Sequence, residues 1–422
     1  MIKNHERGIH REKTHSTKMQ VLGEYWTAIA PYKWTSLIII FLTTLSTVAT
    51  IFNPVFYKKF FDILSNTSDK SGDYTNLVQI IVYILFLNTI SWLAYRTSGF
   101  LNTGFQTRVM ANLKTNAFKY MLGHSYAFFA NRFTGSLVQR VNRFSRSFEV
   151  LCDRLFWNII PLGVRIIGMS VVVWFIEPRI TFIIVALVAF FLVFNYFFTR
   201  WKLKYEIERA ESESFSTAVL SDAISNHNTI QLFGGESSEF EYFKEVADDQ
   251  AKITRFTWNL NTITDAIQAG LLIIAEFFLF YYSLKYWQQG IFSPGTFVLI
   301  QFYLITLGGQ LWDFSRIIRD IYQSFADAKE LVDIMILKQE ISDSKDAKIL
   351  NPTWGSIEFK DVTFGFGEKN NALTNFNLLI KGGEKVALVG PSGAGKSTLV
   401  RLIMRLYNLR KGTITIDDQC ID

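Results

Sequence analysis

Residues 34–57, 74–95, 180–199 and 288–312 form four runs of at least twenty residues that contain no Asp, Glu, Lys or Arg. Two further runs, 155–176 and 266–284, hold one charge each, Arg165 and Glu276. A bilayer core is crossed by about 20 apolar residues in a helix, whose backbone amides are satisfied within the segment itself. Buried helices of soluble proteins are shorter and amphipathic. The pattern therefore predicts six transmembrane helices. Residues 108–122 and 202–232 place apolar side chains every third or fourth position, so the helices continue beyond the membrane.

After the last span the rhythm changes. Residues 338–352 are polar and read as a linker. Residues 356–364 alternate polar and apolar, as a half-buried strand does, and 378–380 suggest a second strand. Residues 385–389 form a short apolar run closed by Gly390, the pattern of a buried strand, and 398–407 return to helical spacing.

Lys and Arg orient the spans. The segment between the second and third carries Arg96, Arg108, Lys114, Lys119, Arg132, Arg140, Arg143, Arg146 and Arg154, and the one after the fourth carries Arg200, Lys202 and Lys204. The first, third and fifth connections hold only Lys58, Lys59 and Lys70, then Arg179, then Lys285. The basic side is the inner one, which puts both termini in the cytosol.

Composition agrees with a membrane protein: 49% of the residues are hydrophobic, 39 are Phe, and 19% are charged against about 25% in soluble domains. The net charge of +6 is spread over loops among acidic residues, which argues against a nucleic-acid partner. Cys152 and Cys420 stand far apart and imply neither a disulfide framework nor a metal cluster. Residues 1–33 are polar, lack the apolar core of a signal peptide, and read as a disordered or surface-lying cytosolic tail. Asn66-Thr67-Ser68 fits a glycosylation sequon too short to carry a function.

Gly390-Pro391-Ser392-Gly393-Ala394-Gly395-Lys396-Ser397 matches G-x-x-x-x-G-K-[ST] in full, followed by Thr398 at the head of a helical stretch. Glycines let the backbone curl so that its amides point at a phosphate, aided by the helix N-terminus. Lys396 supplies a point charge for the β- and γ-phosphates, and the Ser397 hydroxyl a ligand for Mg²⁺. A chance match in a chain of this size is roughly one in fifty.

Six spans with long inner loops, followed by strands and this loop, resemble the ATP-binding cassette (ABC) exporters with fused membrane and nucleotide domains. Other segments agree. Residues 125–140, with Phe128-Phe129, Thr134-Gly135 and Arg140, look like the first inner loop, whose coupling helix touches the nucleotide domain; Ser225-Asn226 through Ile230, Phe233, Glu236, Glu239 and Phe243 are similar to the second. Pro54 and Asp62 match the end of the family's first helix, and residues 290–295 the turn before its sixth.

The resemblance implies a half-transporter. Its parts are a tail over residues 1–19, an all-α six-helix ABC exporter transmembrane domain over 20–337, a linker over 338–354 and, over 355–422, the first part of an α/β P-loop nucleotide-binding domain. It further implies ATP and Mg²⁺ as cofactors and a second subunit, identical or not, as partner. The setting would be membrane lipid, in a plasma membrane and in a bacterial inner membrane in particular. The function implied is ATP-driven export of a lipid, drug or peptide; the alternative is a membrane protein that senses ATP without hydrolysing it.

Phe366 takes the position at which the family stacks a Tyr on adenine, keeping the ring and losing the hydroxyl. The sequence ends at Asp422, ahead of the family's glutamine loop, signature motif, acidic metal and base residues and switch His. The expectation is a truncated chain without catalytic residues, inactive by itself. Arg165 and Glu276 each cost about 2.5 to 3.5 kcal/mol at a helix centre, and their similar depth would let them pair as a salt bridge between the third and fifth helices; the alternative is a place in the wall of the substrate cavity.

Overall fold

The computed structural model describes residues 16–66, 70–130, 132, 134–339, 341, 349–366, 371–391, 393 and 395–421. The tail up to residue 15, Thr67 and Ser68 of the sequon, and residues 342–348 of the linker lie outside it. In chain order the helices are α1 (Lys18–Ile29), α2 (Lys33–Asn66), α3 (Lys70–Leu122), α4 (Tyr126–Ala130), α5 (Thr134–Asp153), α6 (Ile160–Trp174), α7 (Pro178–Ser225), α8 (His227–Leu232), α9 (Glu236–Gln288), α10 (Pro294–Trp312) and α11 (Phe314–Met335). Six helical stretches are long and apolar enough to cross a membrane; four of the six apolar runs lie wholly in them, and 155–176 and 288–312 do so for most of their length. At 1.5 Å per residue, the 53 residues of α3 and of α9 reach about 80 Å, far beyond a bilayer core of about 30 Å.

The chain divides into two compact units: Tyr32–Gln106 with Val150–Gln323, and the remainder. In the first unit α2 packs on α10, α7 on α9, and α6 on both α2 and α7. Their core is aliphatic and aromatic, with Ile51, Ile180, Leu299 and Tyr303 almost fully buried. Between α2 and α3 the seam is small and polar: Thr43 and Ser98 hydroxyls meet at 2.9 Å, Ser46 and Ser91 at 3.0 Å. Small hydroxylated residues let membrane helices approach closely.

Two of the family's marker segments meet here. Asp62 accepts from the Gly295 amide at 2.8 Å and from Lys58 Nζ at 2.7 Å. A Cβ on Gly295 would lie 2.1 Å from the Lys58 carbonyl oxygen, so only glycine fits. The sixth span starts at Pro294, inside the apolar run that begins at residue 288, because Gly290 turns left-handed (φ 76°) and Pro294 sits in the first helical turn. A single π-turn, Arg154–Ile159, interrupts the third span where Arg154 donates to Asp320 at 2.7 Å.

The other unit begins with a correction. Residues 18–29 are no loose tail but a helix whose Val21, Tyr25 and Ala28 are buried. Thr17 and Gln20 close a capping box at its start, and the Tyr25 ring stacks on Phe144 at 5.0 Å. The apolar positions, spaced by four and three, were the signal that the polar average of this segment hid.

The chain then forms β1 (Ile357–Phe364), β2 (Leu373–Ile380), α12 (Lys396–Ile403), β3 (Lys411–Ile416) and β4 (Gln419–Cys420). The sheet is antiparallel in the order β2-β1-β3-β4, and its inner face, Phe359, Val362, Phe364 and Ile414, packs against Leu399 and Leu402 of α12. Residues 385–389 are not a strand. A buried strand takes its ladder from neighbours on both sides, and none of the four described strands pairs with this run. It is left extended and open, with Val389 89% exposed.

Candidate functional site: a phosphate loop and a membrane cavity

Gly393 and Gly395 both adopt left-handed φ, 87° and 85°, where a side chain would be strained. Gly395 is also crowded, since a Cβ there would come within 3.2 Å of Leu373 and 3.4 Å of the Ala372 carbonyl oxygen. It caps α12: the Thr398 and Leu399 amides donate to its carbonyl at 3.0 and 3.2 Å. The amides of Lys396 and Ser397, in the first turn, have no acceptor within the helix, and the positive helix end they form suits an anion. Lys396 Nζ donates to the Gly390 and Pro391 carbonyls, both at 2.7 Å, which holds the ammonium across the loop. The Ser397 side chain is exposed beside it, and Thr398 is buried in the core behind. Ser392 and Ala394 lie outside the described residues. Left-handed glycines, a lysine, a hydroxyl and free amides fit a nucleotide phosphate with its Mg²⁺.

Phe366 is 57% exposed and is set edge-on to Phe364 at 5.0 Å and to Tyr407 at 5.4 Å, which props the ring and leaves area open for stacking. Tyr407 was not foreseen. It also meets Tyr126 of α4 at 5.8 Å, and the Arg401 guanidinium lies 5.6 Å from the Tyr126 ring. One aromatic thus touches both Phe366 and the short helix of the first inner loop. At the sheet's end, Asp417 accepts from the amides of Thr353, Trp354, Gly355 and Ser356 at 2.6 to 3.0 Å. These bonds, Gly355's foremost, hold its carboxyl well below the ordinary carboxylate range.

In the membrane unit a cavity of about 570 Å³ lies among α7, α9 and α11. Its floor is a polar relay. Asn195, fully buried, accepts from Gln268 Nε2 and from the Ser315 hydroxyl, so three helices share one amide. Gln268 is 1% exposed, and its Oε1 has no hydrogen-bond partner. Nearby Lys202 donates to Asn261 and pairs with Glu206 at 3.5 Å. Arg200, Arg319 and Asp265 complete a lining of both signs. Of these only Arg200 and Lys202 were noted from sequence, as inner-side charges, although Asn195 and Gln268 are amides within apolar runs, and such residues in spans mark helix contacts or pathways.

The expected pair of Arg165 and Glu276 is not formed. Glu276 accepts instead from Gln301 of α10 at 3.0 Å, and no ion pair joins it to Arg165 among the described residues. Arg165 Nε is buried without a hydrogen-bond partner. Similar depth does not make contact, because α6 packs on α2 and α7 whereas α9 packs on α7 and α10.

A phosphate-binding loop joined to six membrane-spanning helices defines a multi-pass, nucleotide-binding membrane protein. The chain belongs to the ABC transporters: residues 36–311 match the ABC transporter transmembrane region and residues 373–422 the ABC transporter domain. Its relatives include "ATP-binding cassette sub-family B member 6" of Xenopus tropicalis, 28% identical over 90% of this chain and 45% of that protein. The "ATM1-type heavy metal exporter" of Novosphingobium aromaticivorans is 29% identical over 74% of this chain and 51% of that one. The chain spans about half the length of the curated relatives it matches. Its fold is that of a bacterial Atm1-family ABC exporter solved with ATP bound, at a TM-score of 0.75 and 23% identity, over 93% of this chain and 68% of that one.

Proposed function

We propose that this chain is the membrane domain and phosphate-binding segment of an ATP-driven exporter. Two such subunits clamp ATP between their nucleotide domains, and closure moves the inner loops so that the membrane cavity opens outward. The observation that carries this reading is the contact series from Phe366 through Tyr407 to Tyr126, which joins a nucleotide loop to an inner loop of the membrane helices. The adenine stacks on Phe366, the phosphates lie on the amides at the head of α12 and on Lys396, and Ser397 takes Mg²⁺, which offsets the charge of the β- and γ-phosphates. ATP binding to the closed pair drives the change by differential affinity for the two states.

A partner subunit is supported by α8 of the second inner loop, where Leu232 and Phe233 are 84% and 85% exposed in a segment outside the spans. The protein lies in a plasma membrane with both termini cytosolic, in keeping with its basic inner loops.

The cargo is a molecule carrying charge. This reading rests on the mixed-sign lining of the 570 Å³ cavity, and the printed names of relatives, "Iron-sulfur clusters transporter atm1, mitochondrial" of Neurospora crassa and the heavy metal exporter above, add metal-bearing molecules to the class. Inside-out vesicles with a lipid, a drug, a peptide and a metal complex as candidates test it. ATP-dependent uptake of at least one, lost in Lys396→Ala, is expected. ATP binding with neither hydrolysis nor uptake of any would favour the sensing alternative.

A further inference from the structure

Glu276 and Gln301 stand at one end of a groove of about 510 Å³ between α9 and α10. The groove is built from one face of each helix: Leu272 and Glu276 four apart on α9; Gln301, Leu304 and Gly308 three to seven apart on α10. Gln301 Nε2 donates to Glu276 Oε1, which aligns the amide and leaves Gln301 Oε1 buried without a hydrogen-bond partner. The groove end therefore presents the second carboxylate oxygen of Glu276, whose carboxylate the Gln301 amide holds in place. Among the described residues no cation lies within ion-pair distance of Glu276. The walls are apolar, and Gly309 leaves them open, since a Cβ there would meet nothing within 4 Å. At the other end Trp312 and Asp313 line both this groove and the 570 Å³ cavity, so the two spaces adjoin.

We propose that this groove is a binding site for the cationic group of an amphiphilic organic molecule, with Glu276 as counter-charge, Gln301 orienting that carboxylate and the Leu272 and Leu304 walls taking the apolar body. A carboxylate is retained in the middle of a span only where a partner or water meets it. Here the carboxylate faces a space large enough for a ligand, and that space adjoins the 570 Å³ cavity. The inference rests on the export reading and deepens it by naming the charge of the cargo.

The test is equilibrium binding, without nucleotide, of radiolabelled tetraphenylphosphonium to the protein in lipid nanodiscs, against its size-matched anion tetraphenylborate and against empty discs. Saturable binding of the cation is expected, with the anion weaker by at least about tenfold, because the Glu276 carboxylate attracts the one and repels the other. Glu276→Gln keeps the hydrogen bond to Gln301 and removes the charge; it should weaken cation binding about tenfold and leave thermal stability in place. Gly309→Leu fills the groove without touching Glu276 and should also weaken binding, and Glu276→Lys should invert the preference. Equal affinity for the two ions, no saturable binding of either, or unchanged cation binding in Glu276→Gln overturns the proposal. Since no step uses ATP, these results are independent of whether Lys396→Ala disables turnover.

Discussion

The phosphate loop and the membrane cavity bind by opposite designs. The loop takes its chemistry from nine consecutive residues, 390–398, and much of that from the backbone: left-handed glycines, helix-end amides and one lysine held by carbonyls five and six residues away. The cavity takes its chemistry from side chains on three helices, with Asn195, Gln268 and Ser315 separated by 73 and 120 positions along the chain. A contiguous backbone site can be carried intact among many sequences, since few side chains specify it. A site assembled from distant side chains changes with each substitution.

The contrast is tested hardest at Lys396. In any preparation that hydrolyses ATP, Lys396→Ala should lower turnover by at least about 100-fold, in line with the loss of one preorganised charge on a transferred group. Insertion of the six helices, read by protease accessibility, should be unaffected; unchanged turnover would remove the loop from the mechanism.

Next in size is the amide relay. Asn195→Leu leaves the Gln268 amide and the Ser315 hydroxyl without their shared acceptor, which should cost about 1–3 kcal/mol and lower the apparent melting temperature in nanodiscs. An unshifted melting curve means that the three helices do not depend on Asn195.

A smaller effect lies at the contact between loop and membrane helices. In a double-mutant cycle on stability, Tyr126→Ala and Tyr407→Ala should show a coupling of about 0.5–1.5 kcal/mol, as edge-to-face rings do. Tyr126→Ala should also lower transport more than ATPase. Strict additivity, with transport and ATPase falling together, would break the proposed link.

The smallest effect is a pH dependence at Asp417. Its folded pKa lies below its unfolded value, so the stability it contributes is present above about pH 4, the unfolded carboxyl range, and is lost as the pH falls through that value toward the folded pKa. The melting difference between wild type and Asp417→Asn should be full at neutral pH and shrink in acid. A difference that stays constant from neutral to strongly acidic pH would mean that the backbone bonds do not act through the charge.

Six spans, long inner helices and a complete phosphate loop were legible in the chain because each is a contiguous property. Transfer of twenty apolar residues into lipid depends only on that run, and a loop such as Gly390 to Thr398 is specified by its own backbone torsions. Tertiary structure decided what depends on a neighbour. Whether residues 385–389 become a strand is set by ladder partners elsewhere in the fold, and burial of Lys18–Ile29 by the presence of Phe144. Glu276 and Arg165 share a depth but not a face, since the rotation of each helix about its axis is fixed by all the side chains packed around it. Pairing across helices is therefore written in register and rotation, which no single stretch of sequence contains, and so Gln301 rather than Arg165 meets the carboxylate.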